Sequence, residues 1–355
     1  MANHTLQEIL SQPAAWETVI TMMENETGDS KKYPNGYTTD GHQTAQAIFI
    51  GCGTSFYLAQ SAASIYSKIT DVPSRAAPAS EVFLFPDSLF AGEPERYQPF
   101  LISRSGETTE VLWAAKYIHE HYGIYVNGIT CRPGSELLGL ADHSFIIPAA
   151  DEKSVVMTRS FSSMLLLIQY LASLNSEDRE FRGELHKLPE IGSSLIKKYK
   201  DLPDAIVNEK EILHYVYLGQ GPFYGLANES MLKVKEMSLS SSQAYHTLEF
   251  RHGPKSMINE NMLVTFLFSE MGFESEINVL KEVKKLGART LSICEEADSV
   301  ITEYSDYVVE LNSGLSDYAR LILYMPVTQL LGFNAATAKK MDPDAPANLS
   351  QVVTL

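Results

Sequence analysis

Ala45-Gln46-Ala47-Ile48-Phe49-Ile50-Gly51-Cys52-Gly53-Thr54-Ser55 is a short apolar run that ends in a Gly-x-Gly turn and passes into a helix-forming stretch of small residues to about Lys68. A run of this length, bounded by glycines, reads as a buried strand feeding a crossover helix. The construction returns 168 residues after Gly51, where Ile212-Leu213-His214-Tyr215-Val216-Tyr217-Leu218 precedes Gly219-Gln220-Gly221 and a helix through about Ser238. The next strands correspond too. Phe100-Leu101-Ile102-Ser103 matches Thr265-Phe266-Leu267-Phe268-Ser269, and Gly128-Ile129-Thr130-Cys131 matches Thr290-Leu291-Ser292-Ile293-Cys294, each pair separated by an amphipathic helix. Self-similarity at a fixed interval is a statement about fold. Strand–helix–strand alternation implies right-handed crossovers and parallel sheets covered on both faces. The expectation is α/β: two tandem doubly wound, flavodoxin-like lobes. The expected division is an N-terminal helical segment 1–37, a first lobe 38–180, a helical connector 181–211, a second lobe 212–340 and a tail 341–355.

Composition narrows the partners. The chain has 355 residues, 45% hydrophobic and 20% charged, with a formal net charge of −16. That acidity argues against nucleic acid and anionic membranes as partners. Three cysteines, Cys52, Cys131 and Cys294, give an odd count without metal-ligand spacing, which fits a reducing, cytoplasmic setting. The start shows no signal-peptide pattern, and no apolar run is expected to reach a membrane span. The histidines form no His-x-x-x-His pair and the cysteines no Cys-x-x-Cys pair, so no metal is expected. Neither Gly-x-Gly turn is completed, Phe56 and Tyr224 standing where the third glycine would be, so a nicotinamide cofactor is excluded. No Gly-x-Ser-x-Gly elbow marks a serine hydrolase. No cofactor is expected.

An acidic chain that binds an anion must supply local donors. Ser103-Arg104-Ser105-Gly106-Glu107-Thr108-Thr109 comes after a strand and opens a helix, offering hydroxyls, a glycine and helix-start N–H groups. Gly53, Thr54 and Ser55 open the first helix at the same carboxyl edge, where open α/β sheets gather ligands. The plain alternative is that these residues are N-caps. The corresponding second-lobe segment, Ser269-Glu270-Met271-Gly272-Phe273, is poor in hydroxyls and carries a carboxylate, so phosphate binding is expected in one half only. In the second lobe, Glu229, Lys233 and Glu236 fall at i, i+4 and i+7. On spacing alone that stripe reads as a solvated, salt-bridged face. The segment Glu249-Phe250-Arg251-His252-Gly253-Pro254-Lys255 points elsewhere: its histidine is presented by a turn rather than a helix, and histidine titrates near neutrality. A sheltered carboxylate nearby would serve as a general base.

These segments together resemble the sugar isomerase (SIS) domain family, in particular the isomerase half of glucosamine-6-phosphate synthase and its deglycase relatives. The likeness runs from Glu8-Ile9-Leu10-Ser11-Gln12-Pro13 through Cys52–Ser55, Ser103–Thr108, Val155–Phe161, Lys233-Val234-Lys235-Glu236 and His252-Gly253-Pro254 to Asp342–Leu349. The resemblance implies that Ser55, Ser103, Arg104, Ser105 and Thr108 hold a sugar 6-phosphate, with Thr54, Gly53, Val155 and Gln351 as weaker substrate contacts. It implies that Glu236 moves a proton between C1 and C2, that Lys233 positions the sugar, and that His252, contributed by the neighbouring subunit of a homodimer, assists ring opening. The tail is implied to lie over the active site. The synthase's glutaminase half, with its exposed cysteine nucleophile, is not seen in this sequence. Where the synthase presents a lysine after Asn-Leu-Ala, this chain reads Asn348-Leu349-Ser350-Gln351. Glutamine cannot form a Schiff base with a sugar carbonyl.

The leading expectation is therefore a phosphosugar isomerase of deglycase or deaminase type, acting on a fructosamine or amino-sugar 6-phosphate. The alternatives are a simple aldose–ketose phosphate isomerase, a glutaminase-less aminotransferase-like isomerase, and a non-catalytic phosphosugar sensor.

Overall fold

The computed structural model describes residues 3–26 and 44–352; the expected boundary at 37/38 lies outside the described residues. The chain divides into two compact units. One comprises Ala14–Lys153, Met157–Lys187 and the tail from Ser350; the other comprises the chain start to Pro13, Ser154–Val156 and Leu188–Leu349.

The first unit is built on β1 (Gln46–Gly51), β2 (Ser74–Pro78), β3 (Tyr97–Ile102), β4 (Asn127–Thr130) and β5 (His143–Ile146). They form a parallel sheet in the order β2-β1-β3-β4-β5. Ile48, Phe49 and Ile50 are all fully buried, as a sheet covered on both faces requires. Alternation sorts them: Ile48 and Ile50 join Leu101, Val111, Ala115 and Ile118 on one side. Phe49 stacks on Phe100 at 4.9 Å and meets Tyr66 of the Thr54–Thr70 helix edge-on. Behind Tyr66 the Arg159–Asn175 helix is buried from Ser160 through Ser173, and its centre is the apolar run Met164–Ile168. A helix enclosed all round belongs to the core.

The second unit repeats the plan with β6 (His214–Gly219), β7 (Ser241–Tyr245), β8 (Met262–Leu267), β9 (Arg289–Cys294) and β10 (Tyr307–Glu310). Read from the other edge, the order β10-β9-β8-β6-β7 is that of the first sheet. Each lobe thus has the 2-1-3-4-5 strand order of a flavodoxin-like sheet, as the repeat implies.

Two features of this unit bear on function. The Phe223–Ser238 helix packs against Met325–Ala338. Gly332 lets them close: a Cβ there would stand 2.7 Å from Met237 Cε and 3.0 Å from the Lys233 carbonyl carbon. Contrary to the expectation that no apolar run reaches span length, Arg320–Ala338 is long and apolar enough, but 89% of it is buried inside the protein. It is a core element. The second feature joins the two ends of the SIS-like sequence. Asp344 accepts hydrogen bonds from the N–H groups of His4 (2.9 Å) and Thr5 (2.7 Å) and from the Thr5 hydroxyl (2.7 Å). These are orphan donors of the His4–Leu10 helix, so a residue from the far end of the chain satisfies them.

Candidate active site

In the first lobe, Gly51 ends β1 opposite Ile102 at the end of β3. The turns carrying Gly53–Ser55 and Ser103–Thr108 therefore leave adjacent strand ends. Thr54 and Ser55 are buried in the first turn of their helix, whose N-cap Gly53 has φ 52°. The Ser103 Oγ lies 3.1 Å from Thr108 Oγ1 and 3.5 Å from Ser105 Oγ. The N–H of Gly106 donates to Ser103 Oγ (3.1 Å) and that of Glu107 to Ser105 Oγ (3.2 Å). Thr108 is the N-cap of Thr109–Tyr122 by position, but its hydroxyl makes no capping bond and turns to Ser103 instead. That separates the turn from a plain N-cap. In each of these hydroxyl pairs one member donates to the other, and rotation can redirect such protons, beside a helix start whose field favours negative charge.

The backbone is braced. The Arg104 carbonyl accepts from Thr130 Oγ1 (3.0 Å) and from the Cys131 N–H (2.9 Å), and the Gly106 carbonyl from Leu137 (3.0 Å). Gly106 has φ 66°, and a Cβ on it would collide with Ser135 Oγ at 2.2 Å. No other residue fits there. The Arg104 guanidinium pairs through Nη1 with Glu152 at 3.3 Å and donates through Nη2 to the Gln351 carbonyl at 3.1 Å. Gln351 thus belongs with the Ser103–Thr108 turn.

In the second lobe the Glu229–Lys233–Glu236 stripe is not a solvated face. Lys233 and Glu229 have fully buried side chains, and Glu236 is 19% exposed. Lys233 Nζ lies 2.7 Å from Glu236 Oε2 and 3.1 Å from Glu229 Oε1. Burial works against the lysine charge, but Glu229 and Glu236 more than offset it, and the pKa stands above the ordinary lysine value. One ammonium clamps two carboxylates, so Glu236 reaches the surface of its helix with a fixed orientation. Val155 sits in this unit: Ser154 donates its N–H to the Glu8 carboxylate, and Val156 packs with Ile9, Met237, Leu330 and Phe333. His252 is exposed, between the short helical turns Glu249–Arg251 and Pro254–Met257, with Gly253 at φ 119°. The turn presents the imidazole outward.

The second lobe's counterpart of the hydroxyl turn is filled from within. Glu276, 1% exposed, accepts from the Ser269 N–H (2.9 Å) and hydroxyl (3.3 Å), while Gly272 donates to Ser269 Oγ (2.9 Å). Burial pushes the Glu276 carboxyl up to about 7 against the Ser269 bonds. Beside it a cavity of about 740 Å³ is lined by Glu270, Glu295, Glu296, Asp298 and Arg320 among others. Arg320, fully buried, is itself bound to Glu270 and Asp317. This edge offers an anion little.

Sequence reasoning passes over Glu152 and Glu276. Asp151-Glu152-Lys153 reads as a solvated charge run, and no local pattern announces that Glu152 is buried. Among the described residues no group of three or more His, Cys, Asp or Glu could hold a metal ion.

The SIS domain family model matches residues 42–174 and 207–336, one match per lobe. The chain belongs to the SIS domain family and carries the domain twice. It is similar to glutamine–fructose-6-phosphate aminotransferase [isomerizing] of Chlamydia trachomatis, at 26% identity over 365 residues, 99% of this chain and 58% of that protein. The chain thus spans somewhat more than half the length of such relatives. The crystal structure of glucosamine-6-phosphate deaminase from Thermotoga maritima matches with TM-score 0.79 and 30% identity, over 99% of this chain and 100% of that one. Tagatose-6-phosphate ketose/aldose isomerase from Escherichia coli matches in fold with TM-score 0.84 at 20% identity, over 98% and 96%.

Proposed function

We propose that this chain is an enzyme of sugar-phosphate isomerase type, acting on a fructosamine or amino-sugar 6-phosphate by proton transfer between C1 and C2 with release of an amine. The observation that carries this reading is the Lys233 clamp: a carboxylate held in place by a buried ammonium, with a third charge, Glu229, behind it. A surface salt bridge has no need of such burial, whereas a general base that must meet one carbon does. The similarity to the Thermotoga maritima deaminase and to the aminotransferase supports the substrate class. The phosphate is assigned to Ser55, Ser103, Arg104, Ser105 and Thr108, with Thr54, Gly53, Val155 and Gln351 as weaker contacts. In the forward direction Glu236 removes the C1 proton of a ketosamine and returns a proton to C2. The resulting C1 imine takes up water and leaves as aldehyde and free amine. His252 assists ring opening, contributed across a homodimer. Free Cys52, Cys131 and Cys294 fit a reducing, cytoplasmic setting.

The test is incubation with fructosamine 6-phosphates, with amine and glucose 6-phosphate as readouts. Release of both supports the proposal. Exchange of the C2 proton of fructose 6-phosphate without amine release would replace it with plain aldose–ketose isomerisation, and binding without turnover with a sensor.

A further inference from the structure

His252 stands on a turn whose backbone hydrogen bonds are local. Phe250 donates to the His246 carbonyl (3.0 Å), His252 to Glu249 (2.9 Å) and Ser256 to Gly253 (2.9 Å). These bonds shape the bend without tying it to the rest of the lobe. The ties come from one helix, Phe273–Lys285. Phe250 is fully buried in the apolar cluster that includes Ile277, Leu280 and Val283 of that helix. Glu282, the residue before Val283, adds a polar tie on both sides of the histidine. Its Oε1 accepts from Arg251 Nη2 at 2.8 Å, and its Oε2 accepts from Arg251 Nε at 3.4 Å and from Lys255 Nζ at 3.0 Å. Lys255 and Arg251 hold the Glu282 carboxyl below its ordinary value, so it stays charged across the neutral range. The Arg251, Glu282 and Lys255 side chains are 44%, 32% and 39% exposed, and an isolated pair at such exposure would hold little. Here one carboxylate bridges two cations, and the arginine engages both of its oxygens, so direction is fixed as well as distance. The bridge runs from Arg251 to Lys255, and His252 lies inside it.

We propose that Glu282 is a positioning residue: its carboxylate clamps Arg251 and Lys255 and so fixes the direction in which the turn presents the His252 imidazole. The inference rests on the proposed function for what that imidazole does, not for the clamp itself. Glu282→Gln keeps the shape and removes the charge. In the full-length protein, hydrogen–deuterium exchange of peptides covering residues 249–257 is expected to be about tenfold faster in this variant. Wild-type exchange there would overturn the clamp, whatever the substrate. Turnover of fructosamine 6-phosphates then asks whether the clamp acts through His252. Glu282→Gln is expected to lower kcat about tenfold with KM unchanged. In a His252→Ala background the same substitution is expected to cost nothing further. A merely structural glutamate would give losses that multiply in the double variant, and that result would overturn the positioning role. Arg251→Gln breaks the clamp from its other side; it is expected to follow Glu282→Gln in both measurements and decides the matter should Glu282→Gln fail to fold. A wild type without turnover, or a His252→Ala variant as active as the wild type, would sink the proposed function instead, and the exchange comparison would still decide the clamp.

Discussion

The two lobes share a strand order and a Ser-x-x-Gly turn after the third strand, and they use that turn in opposite ways. In the first, Ser103, Ser105 and Thr108 gather their hydroxyls beside a helix start. In the second, the carboxyl of Glu276 accepts from the backbone and hydroxyl of Ser269 beside an acidic cavity. The same backbone device gathers hydroxyls in one copy and holds an internal carboxyl in the other. On the proposed function a duplicated fold divides labour: one copy would keep the binding turn, while the other holds a carboxyl of its own there and devotes its first helix to the Glu236 carboxylate.

The largest effect should come from Glu236→Gln, which keeps shape and removes the base. Turnover is expected to fall by about 10³-fold or more with phosphosugar binding retained, a split readable from kcat and from direct binding. Equal loss of binding would erase the division between lobes.

The sealed turn has its own signature in pH. Glu276 is raised from the ordinary 4.5 to about 7, so between those values the folded state holds a proton that the unfolded state has lost. Its stabilising contribution is full below about 4.5 and is lost as pH rises through 7, worth up to about 3 kcal/mol. Glu276→Gln should therefore flatten that part of the stability curve and raise the denaturation midpoint at pH 8. An unchanged curve would mean that the carboxyl is not held in the turn.

In the open turn, Thr108→Val removes one hydroxyl without removing the helix cap, since Thr108 makes none. Affinity for a sugar phosphate should drop by about 2 kcal/mol, roughly thirtyfold, as for a hydrogen bond to a charged group. The smallest expected effect lies away from either turn: Asp344→Ala removes the acceptor for His4 and Thr5 and should cost about 1 kcal/mol of stability by denaturant titration, with kcat unchanged.

Much of this is legible in the chain. The repeated strand and Gly-x-Gly turn imply both sheets, because a short strand-to-helix passage constrains the crossover. The hydroxyl turn is legible because its residues are contiguous. The features that escape reading depend on contacts between distant positions. Lys233 looks solvated by spacing, yet its side chain is fully buried, on a helix that another far along the chain approaches closely at Gly332. Glu276 sits in the amphipathic Phe273–Lys285 helix, where a carboxylate reads as surface. The Arg104–Glu152 ion pair is hidden in the same way, since its members lie 48 residues apart.

The proposed function makes one turn an anion site and its twin none, and titration calorimetry with fructose 6-phosphate on Ser103→Ala and Ser269→Ala, side by side with the wild type, measures that directly. Binding should collapse in Ser103→Ala and remain at the wild-type level in Ser269→Ala; the reverse pattern, or equal losses, would contradict it.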